Sequence, residues 1–388
     1  MYQTNRRNLL AGLGAIGLSG CVGMTRPGPA GRFAPNGQSL DAAARTGGRR
    51  FGSAVGWNAA GTGGSITNPR YADLVKAECG LVVPENEMKW QSVRPSPDRF
   101  DFRAMDAIAQ WARASELELR AHTLLWHRPQ WFPEWLNLYD FGARPVQEAE
   151  RLITEHIRTV TRRYRGQIKS WDVVNEAIDH DARKPIETSL SRAMGSPEAV
   201  IDLAFHTARE NLPDSQLVYN DYMSWEPQHA GHIADVLRLL EGMKKRGVPC
   251  DALGIQSHIE IFALDPATGV GAYDEAGWRR FLDEVTGMGY RLLITEFDVK
   301  DTALPADIAR RDALVADYTR RYFDVMMDYG DMLDDVLAWG MVDGFNWLQY
   351  FEPAKRADGL EVRGAPYDSE YRPKPLRTAL ARSLSVEG

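Results

Sequence analysis

The sequence predicts an α/β protein folded as a closed (β/α)8 barrel of the TIM-barrel class, in one large domain. Three observations predict it. Eight short apolar runs alternate with amphipathic stretches of helical period, as parallel βαβ units require. No glycine-rich phosphate turn follows an early strand, which argues against an open doubly wound sheet. The unusual polar and aromatic residues gather at the C-terminal ends of the apolar runs, where barrels of this class build their sites.

The expected strands, in order, are Phe51–Val55, Leu81–Pro84, Leu119–Leu125, Ile168–Val174, Leu217–Asn220, Ala252–Gln256, Leu292–Glu296 and Val336–Met341. Helical patterns fall between them, over Phe102–Arg113, Val146–Tyr164, Pro197–Asn211, His232–Arg246, Trp278–Met288 and Ile308–Tyr329. The strand ends then carry Glu85, Asn86 and Lys89 after the second run, and His122 and Trp126-His127 on the third. Asn175-Glu176 end the fourth, Asn220-Asp221 the fifth, and Gln256 and His258 the sixth. Glu296 and Asp298 end the seventh, and Trp339 lies in the eighth. No internal repeat of fixed period is present.

A chain of 388 residues suits one such domain. The net charge is -7 with acids and bases interspersed, so nothing supports nucleic-acid binding. Eleven Trp and fourteen Tyr exceed what the core needs, and about half of them fit flat apolar surfaces for sugar rings.

The first 21 residues read as an export signal: Arg6-Arg7, a short apolar stretch to Leu18, then Leu18-Ser19-Gly20-Cys21. Twin arginines point to the route that exports folded proteins. The last four residues resemble a lipobox with Cys21 as the lipidated residue, and a soluble secreted protein cut nearby is the alternative. The expected location is the periplasm or an outer-membrane anchor, or the medium. Residues 22–48, rich in Gly, Pro, Ala, Arg and Ser, are expected to be a flexible linker, with the domain running from 49 to 388. Cys79 and Cys250 each precede a buried run and are expected to be small buried hydrophobes rather than a disulfide.

Two carboxylates stand out. Glu176 and Glu296 close the fourth and seventh runs and would face each other across a barrel mouth. Glycosidic cleavage needs this pairing: one protonated acid for the leaving oxygen and one ionised group below the anomeric carbon. A lone strand-end glutamate is as readily a salt-bridge partner; the two together, in these contexts, are not.

Pro84-Glu85-Asn86-Glu87-Met88-Lys89-Trp90, His122-Thr123-Leu124-Leu125-Trp126-His127 and Trp171-Asp172-Val173-Val174-Asn175-Glu176 resemble family-10 glycoside hydrolases, the xylanases. So do Asn220-Asp221-Tyr222, Gln256-Ser257-His258, Thr295-Glu296-Phe297-Asp298 and Trp339-Gly340, in the family's order. The resemblance implies a retaining endo-1,4-β-xylanase with Glu176 as acid/base and Glu296 as nucleophile. It implies that Asn175 holds the sugar 2-hydroxyl, and that His258 and Asp298 support the nucleophile. Lys89 and His122 would grip the sugar beside the cut, Glu85 and Asn86 one sugar further out. Trp339 and Trp347 would wall the glycone side, Trp126 would shield the acid, and Gln256 would contribute to the site. Asp172 and Asp221 are expected to orient other residues by hydrogen bonds, and His127 either supports Glu176 or packs. No cofactor or metal is implied. The partners would be xylan and xylo-oligosaccharides, with no nucleic acid, a membrane only through Cys21, and a monomeric state.

The chain departs from the family after His127, where Arg128-Pro129-Gln130-Trp131-Phe132 replaces a small polar residue, Gln, Pro and Trp. Asn346 stands where the family prefers Ser, and Phe351–Tyr371 is expected to form a distinctive loop over the glycone side. Another retaining β-1,4-glycanase, a glucanase or mannanase, would share both glutamates but need room for a hydroxymethyl group; Lys89, Gln256 and the Trp pair favour xylose. A non-catalytic carbohydrate-binding lipoprotein would be expected to lack one glutamate.

Overall fold

A computed structural model describes residues 33–34, 37–265, 269 and 271–385. Eight parallel strands close into a barrel: β1 (Phe51–Val55), β2 (Leu81–Pro84), β3 (Glu118–Ala121), β4 (Ile168–Asn175), β5 (Gln216–Asp221), β6 (Ala252–Ile255), β7 (Arg291–Lys300) and β8 (Leu333–Ala338). Each pairs with its successor, and β8 returns to β1 through Phe51 opposite Val336. Two short segments, Leu125–Trp126 and His258–Glu260, extend the rim beside the C-terminal ends of β4 and β7. The predicted (β/α)8 class is the observed one.

The principal helices are α1 (Leu40–Thr46), α2 (Pro69–Glu78), α3 (Arg103–Ala114), α4 (Pro145–Tyr164), α5 (Pro197–Asn211), α6 (Ala230–Arg246), α7 (Glu275–Gly287), α8 (Ile308–Met327) and α9 (Pro375–Leu384). Local signals set their ends. Ser196 caps α5 by accepting from Ala199 N at 3.1 Å, with Pro197 in the first turn. α4 starts on Pro145 and carries Arg162 and Arg163 in its last turn, where cations favour the helix dipole.

Strand periodicity sorts side chains into two layers. Leu81 and Val83 of β2 pack with Ala54, Leu337 and Trp339 inside the barrel, whereas Val82 between them joins the large core under the helices. Val218, Ala252 and Leu293 fill the opposite side. The barrel is therefore a plugged core, and its open end is the rim at the strand C-termini.

Four expectations change. The third run breaks: β3 stops at Ala121, because Leu124 N (2.9 Å) and Thr123 Oγ1 (2.9 Å) turn to the carbonyl of Asp172. The seventh runs on to Lys300, so Glu296 and Asp298 lie within β7 rather than closing it. β8 ends at Ala338, which leaves Trp339 one residue beyond it. Residues 22–48 are not linker throughout. α1 is capped by Ser39, and Leu40, Ala43 and Ala44 are buried. Leu40 N donates to Glu78 Oε2 (2.7 Å), and Phe51 N donates to Asp41 Oδ1 (3.1 Å) at the start of β1. The export segment, including Cys21, lies outside the described residues. Cys79 is buried, Cys250 half-buried, and both are free thiols.

Candidate active site

The rim positions Glu176 by an unusual backbone. It is the residue after β4 and adopts φ 51°, the left-handed region that non-glycine residues rarely occupy. Glu176 N donates to Asn220 O (2.9 Å), which holds the turn and aims the carboxylate back over the barrel mouth. Gln256 Nε2 donates to Glu176 Oε1 at 2.9 Å, while Arg128 Nε lies 3.1 Å from Oε2. Burial raises the Glu176 carboxyl above its ordinary value; Arg128 opposes this, and Asp221 and Glu296 add to it.

Glu296 has the opposite setting. Residues of one parity on β7 face the site, so Glu296 and Asp298 share it while Phe297 packs against Phe323. Asn220 Nδ2 donates to Glu296 Oε1 (2.8 Å), His258 Nε2 lies 3.3 Å from Oε2, and His122 Nδ1 lies 3.8 Å from Oε1. Burial alone would push this carboxyl up, but His122 and His258 outweigh it and hold Glu296 below its usual range. His258 in turn is bonded through Nδ1 to Asp298 Oδ1 (2.8 Å). Its burial would disfavour the cation, but Asp298 and Glu296 push it up to about 9. Trp347 Nε1 donates to the other Asp298 oxygen (2.6 Å), completing a chain from indole to carboxylate to imidazole to Glu296.

The remaining predicted residues converge here. His122 Nδ1 lies 3.0 Å from Asp172 Oδ2, and Asp172 is buried against Arg120, so its carboxylate orients the imidazole. His122 packs edge-on to Trp339 at 5.2 Å between centroids. Lys89 Nζ donates to Asn86 Oδ1 (2.9 Å) and sits 4.6 Å from the Trp126 ring. Burial pulls its ammonium down, against the pull of Glu296, Glu85 and Glu176 around it. Burial raises Glu85, with Lys89 opposing. The Asn175 amide lies against Asn220 Nδ2 (2.9 Å) at one end, with its other end 3.3 Å from Trp126 Nε1. His127 does not reach Glu176: it is buried, with Nε2 3.1 Å from Ile186 O, and burial lowers it to about 4. Among the described residues, no group of three or more His, Cys, Asp or Glu is placed to hold a metal ion.

Two carboxylates under one rim, one raised by burial and one held ionised by imidazoles, form a set able to protonate one group and attack another. The sequence matches the description Glycosyl hydrolase family 10 over residues 39–383. The chain belongs to glycosyl hydrolase family 10. It is 29% identical over 314 residues to endo-1,4-beta-xylanase A of Caldicellulosiruptor saccharolyticus, covering 78% of this chain and 87% of that one. The thermostable celloxylanase of Thermoclostridium stercorarium is 30% identical over 339 residues, covering 81% of each. Native xylanase 10B of Thermotoga maritima superposes with a TM-score of 0.76 at 27% identity, covering 89% of this chain and 98% of that structure. Xylanase 10B of Thermotoga petrophila RKU-1, solved with xylobiose, gives 0.75 at 26%, covering 89% and 97%.

This family-10 chain also carries site residues that the motifs did not assign. Asn220 appeared only as part of a motif, yet it bonds Glu296 directly and is itself fixed by Thr295 Oγ1 (2.7 Å). Gly254 on β6 makes room for it: a Cβ there would overlap the Asn220 amide and crowd Thr295. Arg128, noted only as a departure, touches Glu176. Trp131, 38% exposed, stacks on Trp126 at 4.4 Å and widens that aromatic face. The 351–371 segment is pinned by charge. Arg363 Nε and Nη2 bond Asp312 (both 2.7 Å), Arg356 Nη2 donates to Leu304 O (2.7 Å), and Arg363 N donates to Asp301 Oδ2 (3.2 Å). Val362 from this segment packs with Leu348 and Ala354, and Trp347 lies on that cluster.

Proposed function

We propose that this family-10 chain is a retaining endo-1,4-β-xylanase that works by double displacement. The observation that carries the acid and nucleophile assignments is the contrast between Glu296, held ionised by His122 and His258, and Glu176, raised by burial; retention is what membership of the family supports. The names of its relatives, endo-1,4-beta-xylanases in several bacteria, support xylan as the substrate. In the first step a Glu296 oxygen bonds the anomeric carbon. The glycosidic C–O bond breaks, and the leaving oxygen takes the proton of Glu176. In the second, water bonds the same carbon as the ester bond to Glu296 breaks, and Glu176 accepts the proton the water loses. Asn175 would hold the sugar 2-hydroxyl, Lys89, Asn86 and Glu85 the glycone polar groups, and Trp339 and Trp347 a sugar face.

The test is the product profile on xylan and linear xylo-oligosaccharides for wild type beside Glu296→Ala. Short xylo-oligosaccharides from wild type and only background from the variant are expected. A folded wild type that leaves xylan intact but cleaves carboxymethylcellulose or mannan would reassign the substrate. We further propose, from Arg6-Arg7 and the Leu18–Cys21 string, that the enzyme is exported and held by a lipid on Cys21.

A further inference from the structure

Arg128 sits in the turn between Trp126 and the short helix Pro129–Trp131, its backbone extended as the residue before a proline prefers (φ −136°, ψ 130°). The side chain reaches across the rim. Nη2 donates to Ile178 O (2.9 Å) and to Tyr222 OH (3.1 Å), and the guanidinium lies 5.4 Å from the Tyr222 ring centroid. These contacts leave Nε 3.1 Å from Glu176 Oε2, with both side chains largely buried, at 18% and 14% exposure. Screening by solvent is therefore weak, and the cation acts on one carboxylate oxygen while Gln256 holds the other.

We propose that Arg128 is a positioning residue acting through Glu176: its guanidinium, in ionic contact with one carboxylate oxygen, weights this group towards the ionised form that accepts a proton from water. The inference rests on the reading of Glu176 as acid/base. Its consequence is asymmetric. Glu176 must be protonated to release an unactivated sugar and ionised to activate water. A fixed cation favours the second step at the expense of the first.

The other groups facing Glu176 define what remains without Arg128. Burial favours the protonated form first, and Asp221 on β5 and Glu296 on β7 add to it. Gln256 after β6 donates to it, Tyr222 lies on the far side of Arg128, and the Lys89 ammonium is a more distant cation. Asp221 is itself engaged by His232 Nε2 (3.0 Å) and by Tyr219 OH. Arg128 is the cation in contact.

The experiment measures kcat/KM against pH on xylohexaose, and kcat against pH on an aryl xylobioside with an activated leaving group, for wild type, Arg128→Gln and Arg128→Lys. In Arg128→Gln the alkaline limb on xylohexaose should move up by about 1 pH unit, because protonated Glu176 persists to higher pH. On the aryl substrate, where water activation limits turnover, the acid limb of kcat should move up by a similar amount, so activity falls on the acid side. Arg128→Lys keeps the charge and should keep both limbs near wild type. Unmoved limbs in folded Arg128→Gln, or limbs in Arg128→Lys displaced as far as in Arg128→Gln, would overturn the proposal. If Arg128→Gln folds poorly, Arg128→Lys is read against wild type, and limbs displaced by about 1 pH unit in it overturn the proposal. Glu176→Ala run alongside separates this from the underlying reading. It should lose about 10²–10⁴-fold on xylohexaose but far less on the aryl substrate. Equal losses would remove Glu176 from the acid/base role and this proposal with it.

Discussion

At the scale of single residues, the two glutamates share a side chain and a rim and differ in what surrounds them. Glu296 is flanked by two imidazoles and an amide donor, so its ionised form is favoured despite burial. The sign of the pH dependence follows. In its proposed role as nucleophile Glu296 must be ionised, so activity is expected above its depressed value and is lost as pH falls through it. His258, pushed up to about 9, is a cation across the neutral range. Replacing it by Gln removes that charge and raises Glu296, so the acid limb of kcat/KM on xylo-oligosaccharides should move to higher pH by about 1 unit. An acid limb that stays in place would show that His122 and Asn220 suffice. Both glutamates were legible because acids at the ends of apolar runs have no solubility role to explain them. The Glu176 contact with Arg128 was not, since it depends on the left-handed turn at Glu176 and on a side chain crossing from another loop.

At the scale of elements, β7 and β6 explain why Glu296 is placed as it is. The strand period puts Glu296 and Asp298 on the face that meets His258, whose segment runs parallel to β7 with His258 opposite Asp298. Asn220 on β5 reaches Glu296 across β6, and the glycine at 254 is what lets it pass. Gly254→Ala should therefore displace the Asn220 amide. We expect kcat/KM to fall about 10²-fold from misplacement of Glu296, with a stability loss of about 1–3 kcal/mol from overpacking. Steady-state kinetics beside thermal melting checks this; near-full kcat/KM with a lowered melting point would mean that Asn220 does not need its present position. The sequence predicts Pro197–Asn211 to the residue, because caps and periodicity are local, but it does not predict α1, α2 or α9. The break after Ala121 and the extension of β7 to Lys300 were missed because both depend on which strand lies alongside.

At the scale of the whole molecule, a segment whose composition reads as linker packs against α2 and α9 and bonds the start of β1. α1 is only seven residues long and would not hold alone. It is fixed by Glu78, whose carboxylate accepts from Leu40 N (2.7 Å) and from Arg377 Nε and Nη2 (3.0 Å each), joining α1, α2 and α9. Among the described residues no helix is long and apolar enough to cross a membrane. A lipid on Cys21, as proposed, would contribute about 0.8 kcal/mol of membrane affinity per buried methylene. Under the proposed export and anchoring, Cys21→Ser should move the enzyme from the membrane to the soluble fraction with its specific activity on xylan unchanged. Fractionation of the expressing cells checks this, and equal partition of both forms would exclude the anchor.

The sequence by itself determined the barrel class, most helix positions and the residue types at the rim. Period, caps and strand-end chemistry act over a few residues and are written locally. Only the tertiary structure decided that Glu296 is bonded by Asn220, that Glu176 faces Arg128, and that α1 belongs to the domain. Each of these depends on contacts between segments far apart in the chain, whose energy exists only once the barrel has closed.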